Sequence, residues 1–305
     1  MIRSIIVAAL LTLFISTING QSGSFVSVPV DARSVALGNT YITSSHSNGI
    51  YTNMAAYALE DNKLDVGYTY RPWLNDLYDG YSLNSFTAAY SSGFKHYFSV
   101  GYKKFTMPSF PVTDANGNID GEYSPFESSI GIGYAYKINE VTAFSVTLNY
   151  LNSDLYESYS VNAYYADLGF KSKYKQLNYG VMIRNIGSKL SFSQGESNLP
   201  LTFAAGVGYE RNLSENHSLA GQLDAAYLSG NENEKGQTLG LGVEYSFKTL
   251  INLRAGYHNS NEDVGLSFYS VGCGARLGGF HLDFAYLLGD NALNNNYCFS
   301  ISWKM

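Results

Sequence analysis

Histidines, cysteines, acidic clusters and glycine-rich turns are where a chain does chemistry, and here their spacing argues against most of it. His46, His96, His217, His258 and His281 fall on separate segments, without the short intervals of a metal-ligand set. Asp114-x-Asn116-x-Asn118 begins like a calcium loop. Ile119 stands where that loop needs glycine, and Pro125 where it needs its terminal acid, so a polar turn is the better reading. Gly131-x-Gly133, Gly206-x-Gly208 and Gly240-x-Gly242 lack the following helix that a phosphate cradle requires. Small residues facing an interior explain them. Ser172-x-x-Lys175 has the spacing of a penicillin-recognising nucleophile, but its Lys-Thr-Gly and Ser-Asp-Asn partners are missing. His258 and His281 have many serine neighbours and no designated one. The expectation is no catalytic residue, no metal site and no cofactor.

The elements that would position these residues read as strands. The chain has 305 residues, 45% hydrophobic, 15% aromatic and only 14% charged, with 27 Tyr, 30 Gly and 6 Pro. That hydrophobicity excludes disorder. After the N-terminus no apolar run of ~20 residues could form a spanning helix. A net charge of −6 argues against a nucleic-acid binder. Residues 1–20 have the layout of a secretory signal peptide: Arg3, an apolar core from Ile5 to Ile15, and small or polar residues to Gly20. No Cys lies near that point, so a lipid anchor is not expected.

From residue 63 onward the period is two. Leu239, Leu241, Val243, Tyr245 and Phe247 alternate with small or polar residues, as do Ile130, Ile132, Tyr134 and Tyr136. Fourteen such runs, the first at 63–70 and the last at 296–304, have the length of tilted bilayer crossings. Connections alternate between long (71–79, 106–123, 187–198, 229–236, 290–295) and very short, the pattern of outer loops and periplasmic turns. Backbone groups in lipid must all be paired, so the sheet must close. The expected fold is an all-β transmembrane antiparallel barrel of about 14 strands over 63–305. Large apolar side chains would face lipid. The opposite face, with Asp65, Arg184, Asp224, Glu244, Arg254, His258 and Asp283, would line the lumen. That face is mainly small and polar, which disfavours a path for apolar solutes. Around Val264 to Leu277 the parity switches, through either a bulge near Tyr269 or Ser270 or a different register. Cys273 and Cys298 fall on opposite faces with a strand between them, so two free thiols are expected. Residues 21–62 do not fit the strand pattern and suit a periplasmic tail or a plug.

Within that stretch, Asp31-Ala32-Arg33-Ser34 with Gly38, and Ile50-Tyr51-Thr52-Asn53-Met54-Ala55, resemble the opening segment and plug box of the PorV/PorQ family of Bacteroidota outer-membrane proteins, whose fold is FadL-like. Thr52 and Met54 depart from that box, where the family has an aromatic residue and proline. Arg71-Pro72-Trp73-Leu74, Arg184-Asn185-Ile186-Gly187 and Leu253-Arg254-Ala255-Gly256-Tyr257 are similar to the PorV branch. The resemblance implies an N-terminal hatch, with Asp31, Arg33, Gly38 and Asn53 as its motif. It also implies a non-enzymatic part in type IX secretion, with partners that are outer-membrane lipid, cargo bearing a C-terminal sorting domain, and a large translocon or attachment protein. Trp73, Leu74 and Tyr78 in the first long loop, with Met107 and Phe110 in the second, would be the docking platform or caps over the barrel mouth. The alternative is a FadL-like channel for hydrophobic small molecules; an outer-membrane lipid hydrolase is the third reading.

Overall fold

The computed structural model describes residues 24–44, 49–60, 62–73, 80–93, 95–114, 116–156, 160–192, 195–230, 235–261, 263–289 and 296–305. The signal-peptide expectation therefore lies outside the described residues, as does His46. The strands are β1 (Leu64–Pro72), β2 (Ser82–Ser91), β3 (His96–Thr106), β4 (Phe110–Thr113), β5 (Ile119–Tyr123), β6 (Phe126–Asn139), β7 (Thr142–Asp154), β8 (Ser160–Tyr174), β9 (Leu177–Gly187), β10 (Leu190–Phe192), β11 (Gly195–Ser197), β12 (Leu201–Ser214), β13 (His217–Ser229), β14 (Lys235–Phe247), β15 (Ile251–Ser260), β16 (Phe268–Leu277), β17 (Phe280–Gly289) and β18 (Tyr297–Lys304). Fourteen of them form one closed antiparallel barrel. The pairs β4–β5 and β10–β11 are separate hairpins within the connections β3–β6 and β9–β12. Closure runs from Asp65↔Lys304 to Tyr70↔Phe299, so no barrel strand is left as an edge.

Side chains follow the period of two. On β6, Ile130 and Ile132 are exposed on the outer face, while the neighbouring Gly131 and Gly133 are buried. On β14, Leu239, Leu241 and Val243 point outward and Glu244 inward. The parity switch near residue 269 is not a bulge. β15 and β16 pair without interruption from Ile251↔Ala275 to His258↔Phe268, and β16 simply begins at Phe268. Val264 and Leu266 belong to the preceding connection and never share the strand's parity. A register shift does occur between β8 and β9 at Ala166/Leu168. There Asn185 takes a left-handed φ of 59°, and Arg184 and Asn185 are both buried. The Asn185 amide donates to the Asp167 carboxylate at 2.7 Å. Cys273 is exposed and Cys298 buried, and both are free thiols.

Inside the barrel, the described residues between 24 and 60 form short pieces: α1 (Ala32–Ala36), α2 (Met54–Tyr57) and two single 3₁₀ turns. Helices of four or five residues do not persist alone in water. Side chains start them: the Asp31 carboxylate accepts from the Ser34 amide at 2.8 Å, and the Asn53 carboxamide oxygen from the Ala55 amide at 3.1 Å. The wall then holds them, α1 against the inner faces of β15 to β18 and α2 against β6 to β8.

Candidate functional site: the lumen and its N-terminal segment

The wall meets the segment through glycines. Inward-facing glycines lie wherever the segment's backbone runs closest. A Cβ added at Gly242 would sit 2.6 Å from the Leu37 carbonyl oxygen. At Gly240 it would sit 2.6 Å from the Gly38 oxygen, at Gly180 2.7 Å from Ile42 Cγ2, and at Gly133 2.7 Å from Met54 Sδ. Outward-facing Gly221 has nothing within 4 Å of such an atom. The Gly-x-Gly pairs are thus the track in which the segment lies. Gly38 itself, at φ +67°, ends α1 in the left-handed conformation, and a Cβ there would lie 2.6 Å from the Leu241 oxygen.

Polar wall residues then fix the segment. Arg33 Nε and Nη2 donate to the two Glu244 carboxylate oxygens at 3.0 and 2.9 Å. Arg254 donates to the same carboxylate and, at 2.6 Å, to Asp283. Two guanidinium and two carboxylate groups thus form one buried chain in which no charge is left alone. Asp224 accepts the Tyr41 and Ile42 amides at 2.6 and 2.9 Å. Asn53 Nδ2 donates to the Ile42 carbonyl at 2.8 Å and to Phe170 of the wall at 3.2 Å. Arg184 reaches the Tyr41 hydroxyl at 2.8 Å and the Tyr51 carbonyl at 3.4 Å. The Gly38 amide donates to Ser270 Oγ at 3.2 Å, and its carbonyl accepts from His258 Nδ1 at 3.2 Å. The motif residues Asp31, Arg33, Gly38 and Asn53 and the lumen charges Arg184, Asp224, Glu244, Arg254 and Asp283 therefore belong to one contact system. Sequence reasoning missed two of its cations: Arg71 donates to the Pro29 carbonyl at 3.1 Å, and Lys103 to the Val26 carbonyl at 2.9 Å. The inward parity of both could have found them.

Above the segment, toward the long connections, lies a cavity of about 460 Å³. Its floor includes Phe25, Val28 and Ile42, and its sides Phe105, Leu266 and Phe268. The mainly small and polar lumen face disfavoured a path for apolar solutes, yet this cavity offers apolar surface. The wall strands are polar and small as expected, and the apolar surface comes from the N-terminal segment and the outer strand ends. Of the residues expected as a docking platform, Trp73 and Met107 line this cavity. Arg71 stacks under the Trp73 ring at 4.4 Å. Phe110 sits apart, parallel to Tyr156 at 6.2 Å in a cluster with Tyr123. Leu74 and Tyr78 lie outside the described residues. In the β4–β5 turn, Asp114 accepts the Asn116 and Asn118 amides at 2.8 and 2.9 Å. Those bonds, first of all the backbone bond from Asn118, hold its carboxyl below the ordinary aspartate range. Among the described residues, no three of His, Cys, Asp and Glu converge as metal ligands.

The closed barrel of fourteen strands is that of the FadL-like outer-membrane proteins. The *Pseudomonas putida* toluene transporter TodX matches with a TM-score of 0.62 at 13% identity, over 90% of this chain and 98% of that one. The *Ralstonia pickettii* toluene transporter TbuX gives 0.61 at 11%, over 90% and 98%. A *Pseudomonas aeruginosa* FadL homologue gives 0.52 at 10%, over 90% and 98%. No curated protein matches the sequence. The family model described as type IX secretion system protein PorV matches residues 16–230, and the chain belongs to that family. It is an outer-membrane barrel with a part in type IX secretion.

Proposed function

We propose that this barrel is a non-catalytic carrier of the type IX system. It docks secreted proteins bearing a C-terminal sorting domain on its outer connections and presents them to a large translocon or attachment protein. In this reading residues 1–20 are removed near Gly20 and residues 21–62 act as a hatch. The observation that carries the reading is the occupied lumen. Most of the described residues from Phe25 to Tyr57 are buried in it, and its wall glycines and charges are engaged in holding them. A barrel filled this way offers partners its outer end. The test is deletion of residues 108–121, which removes β4 and most of β5. The expected result is a barrel that still inserts and no longer supports secretion of sorting-domain cargo; unchanged secretion removes the reading.

The apolar cavity supports a second reading, a channel for hydrophobic small molecules, in which the hatch must move. Uptake of a radiolabelled apolar solute into liposomes carrying the barrel, absent from empty liposomes, is its signature.

A further inference from the structure

The end of the barrel with the short turns, the periplasmic end in such proteins, is basic. Its six connections, each taken with three strand residues on either side (89–98, 137–144, 172–179, 212–219, 245–253 and 275–282), hold six Lys or Arg and two Glu, a balance of +4 where the whole chain has −6.

On the outward face of that end one arrangement occurs twice. At the start of β3, His96 stands opposite Tyr136 of β6 with ring centroids 5.3 Å apart, and its Nδ1 lies 2.8 Å from the Tyr134 hydroxyl. At the start of β13, nearly halfway round the barrel, His217 stands opposite Phe247 of β14 at 5.2 Å, and its Nδ1 lies 2.6 Å from the Tyr245 hydroxyl. In both cases tyrosine occupies one imidazole nitrogen and leaves the other for a ligand. An exposed lysine adjoins each ring. Lys95 precedes His96, and its Nζ donates to the Ile138 carbonyl at 3.1 Å. Lys248 follows Phe247, and its amide donates to the Asn216 carbonyl beside His217 at 2.7 Å. The second cluster has one cation more. Exposed Arg211 pairs with Leu219, which makes it a diagonal neighbour of His217 at a spacing of ~7–8 Å.

Toward the middle of the barrel each cluster gives way to exposed apolar side chains on the same face: Phe98 and Ile132 for the first, Leu219 and Val243 for the second. Gly221, between Tyr209 and Val243 in the ladder, leaves that second strip notched.

We propose that each cluster seats the headgroup of an anionic phospholipid of the inner leaflet. Its phosphate is taken by histidine and lysine, joined at the second seat by Arg211, and its acyl chains lie on the apolar strip. The aromatic rings stand at the depth of the glycerol backbone, where amphipathic rings collect. A soluble anion has no use for the strip, and a zwitterionic lipid brings its own cation to a basic rim. The inference is independent of the carrier and channel readings.

The test is native mass spectrometry of the full mature barrel in non-ionic detergent, with dioleoyl phosphatidylglycerol or dioleoyl phosphatidylcholine added. Two equivalents of the anionic lipid should be retained in preference to the zwitterionic one, by about fivefold for each lysine engaged. Lys248→Gln with His217→Gln should remove one preferred equivalent, and adding Lys95→Gln with His96→Gln should remove the other. The lysine pair alone, both exposed, should already lower the preference; heat-modifiable gel migration checks folding. Lys189→Gln, on an outer connection, should change nothing. Equal retention of the two lipids by the unaltered barrel overturns the inference, as does a preference that survives in the folded quadruple variant. Displacement of the lipid by inorganic phosphate at equal concentration overturns it in favour of a plain anion site. Polyglutamate bound through the same four side chains, with no lipid preference, overturns it in favour of an acidic protein partner.

Discussion

Replacing Glu244 by glutamine should loosen the N-terminal segment from the wall, and a native thiol can report it. Arg33 gives Glu244 two hydrogen bonds, whereas Arg254 keeps Asp283 at 2.6 Å when Glu244 is neutralised. The substitution keeps the shape and strands the Arg33 guanidinium in a buried site. Removing one member of a buried pair costs about 3–5 kcal/mol. If that cost falls on the seated state, the open population rises between about a hundredfold and a few thousandfold. Cys298 reads this out. It points into the lumen, is fully buried, and packs with Ala32, Val35 and Ala36 of the hatch and with Leu287 of the wall. In a Cys273→Ser background it is the single thiol. Its labelling by a water-soluble maleimide tracks the open population while reclosing outpaces the reaction. Glu244→Gln should accelerate labelling by that factor. Adding Arg33→Gln should slow it again, because the stranded charge is gone. A folded Glu244→Gln barrel whose Cys298 labels at the unaltered rate would refute the latch, as would a double variant that labels faster than the single one.

Gly242→Ala places a methyl against Leu37 and should speed Cys298 labelling through an overpacking cost of about 1–3 kcal/mol, whereas Gly221→Ala on the outer face should leave it unchanged; equal effects would sink the glycine track. Asp114 titrates below the ordinary aspartate range because the Asn118 and Asn116 groups donate to its charged form. Its contribution to the β4–β5 turn is therefore present above the unfolded pKa and lost as pH falls through the lower folded value. The Asn118 amide resonance should shift with a midpoint below that of an unstructured aspartate, and an ordinary midpoint would show that the turn does not hold it.

The barrel was legible in the sequence because lipid imposes the rule that makes it so. Where one face meets hydrocarbon, every second residue must be large and apolar, and Leu239, Leu241 and Val243 obey it without exception. Strand ends were legible to within a few residues because the short turns leave little chain to misassign. The one confusion, at Val264 to Leu277, came from a connection whose apolar residues turn in over the cavity, and periodicity does not distinguish those from a strand. The lumen charges were legible by parity alone. Their partners were not, since pairing Glu244 with Arg33 joins residues 211 positions apart. The apolar cavity was hidden for a related reason: its surface is shared among the hatch, the strand ends and the connections, and no single segment carries its signature.

The two electrostatic systems of the lumen divide the molecule's work by where their charges are balanced. Toward β14 to β17, Arg33, Glu244, Arg254 and Asp283 neutralise one another, and such a closed set gains nothing from an added ion. In the outer cavity Arg71 and Arg184 rest on neutral oxygens, and an arriving carboxylate would complete what the fold leaves open. Arg71 and Arg184 also hold the N-terminal segment, through Pro29 in one case and through Tyr41 and Tyr51 in the other. A ligand that draws those guanidinium groups toward itself competes for the same donors. Such competition would couple occupancy of the cavity to the seating of the N-terminal segment, and reciprocally so. An anionic solute that binds the cavity should raise Cys298 labelling, and the Glu244→Gln barrel should bind that solute more tightly by the same factor. If the solute binds and changes neither the labelling rate nor its own affinity for the Glu244→Gln barrel, the two systems are independent and the shared arginines couple nothing.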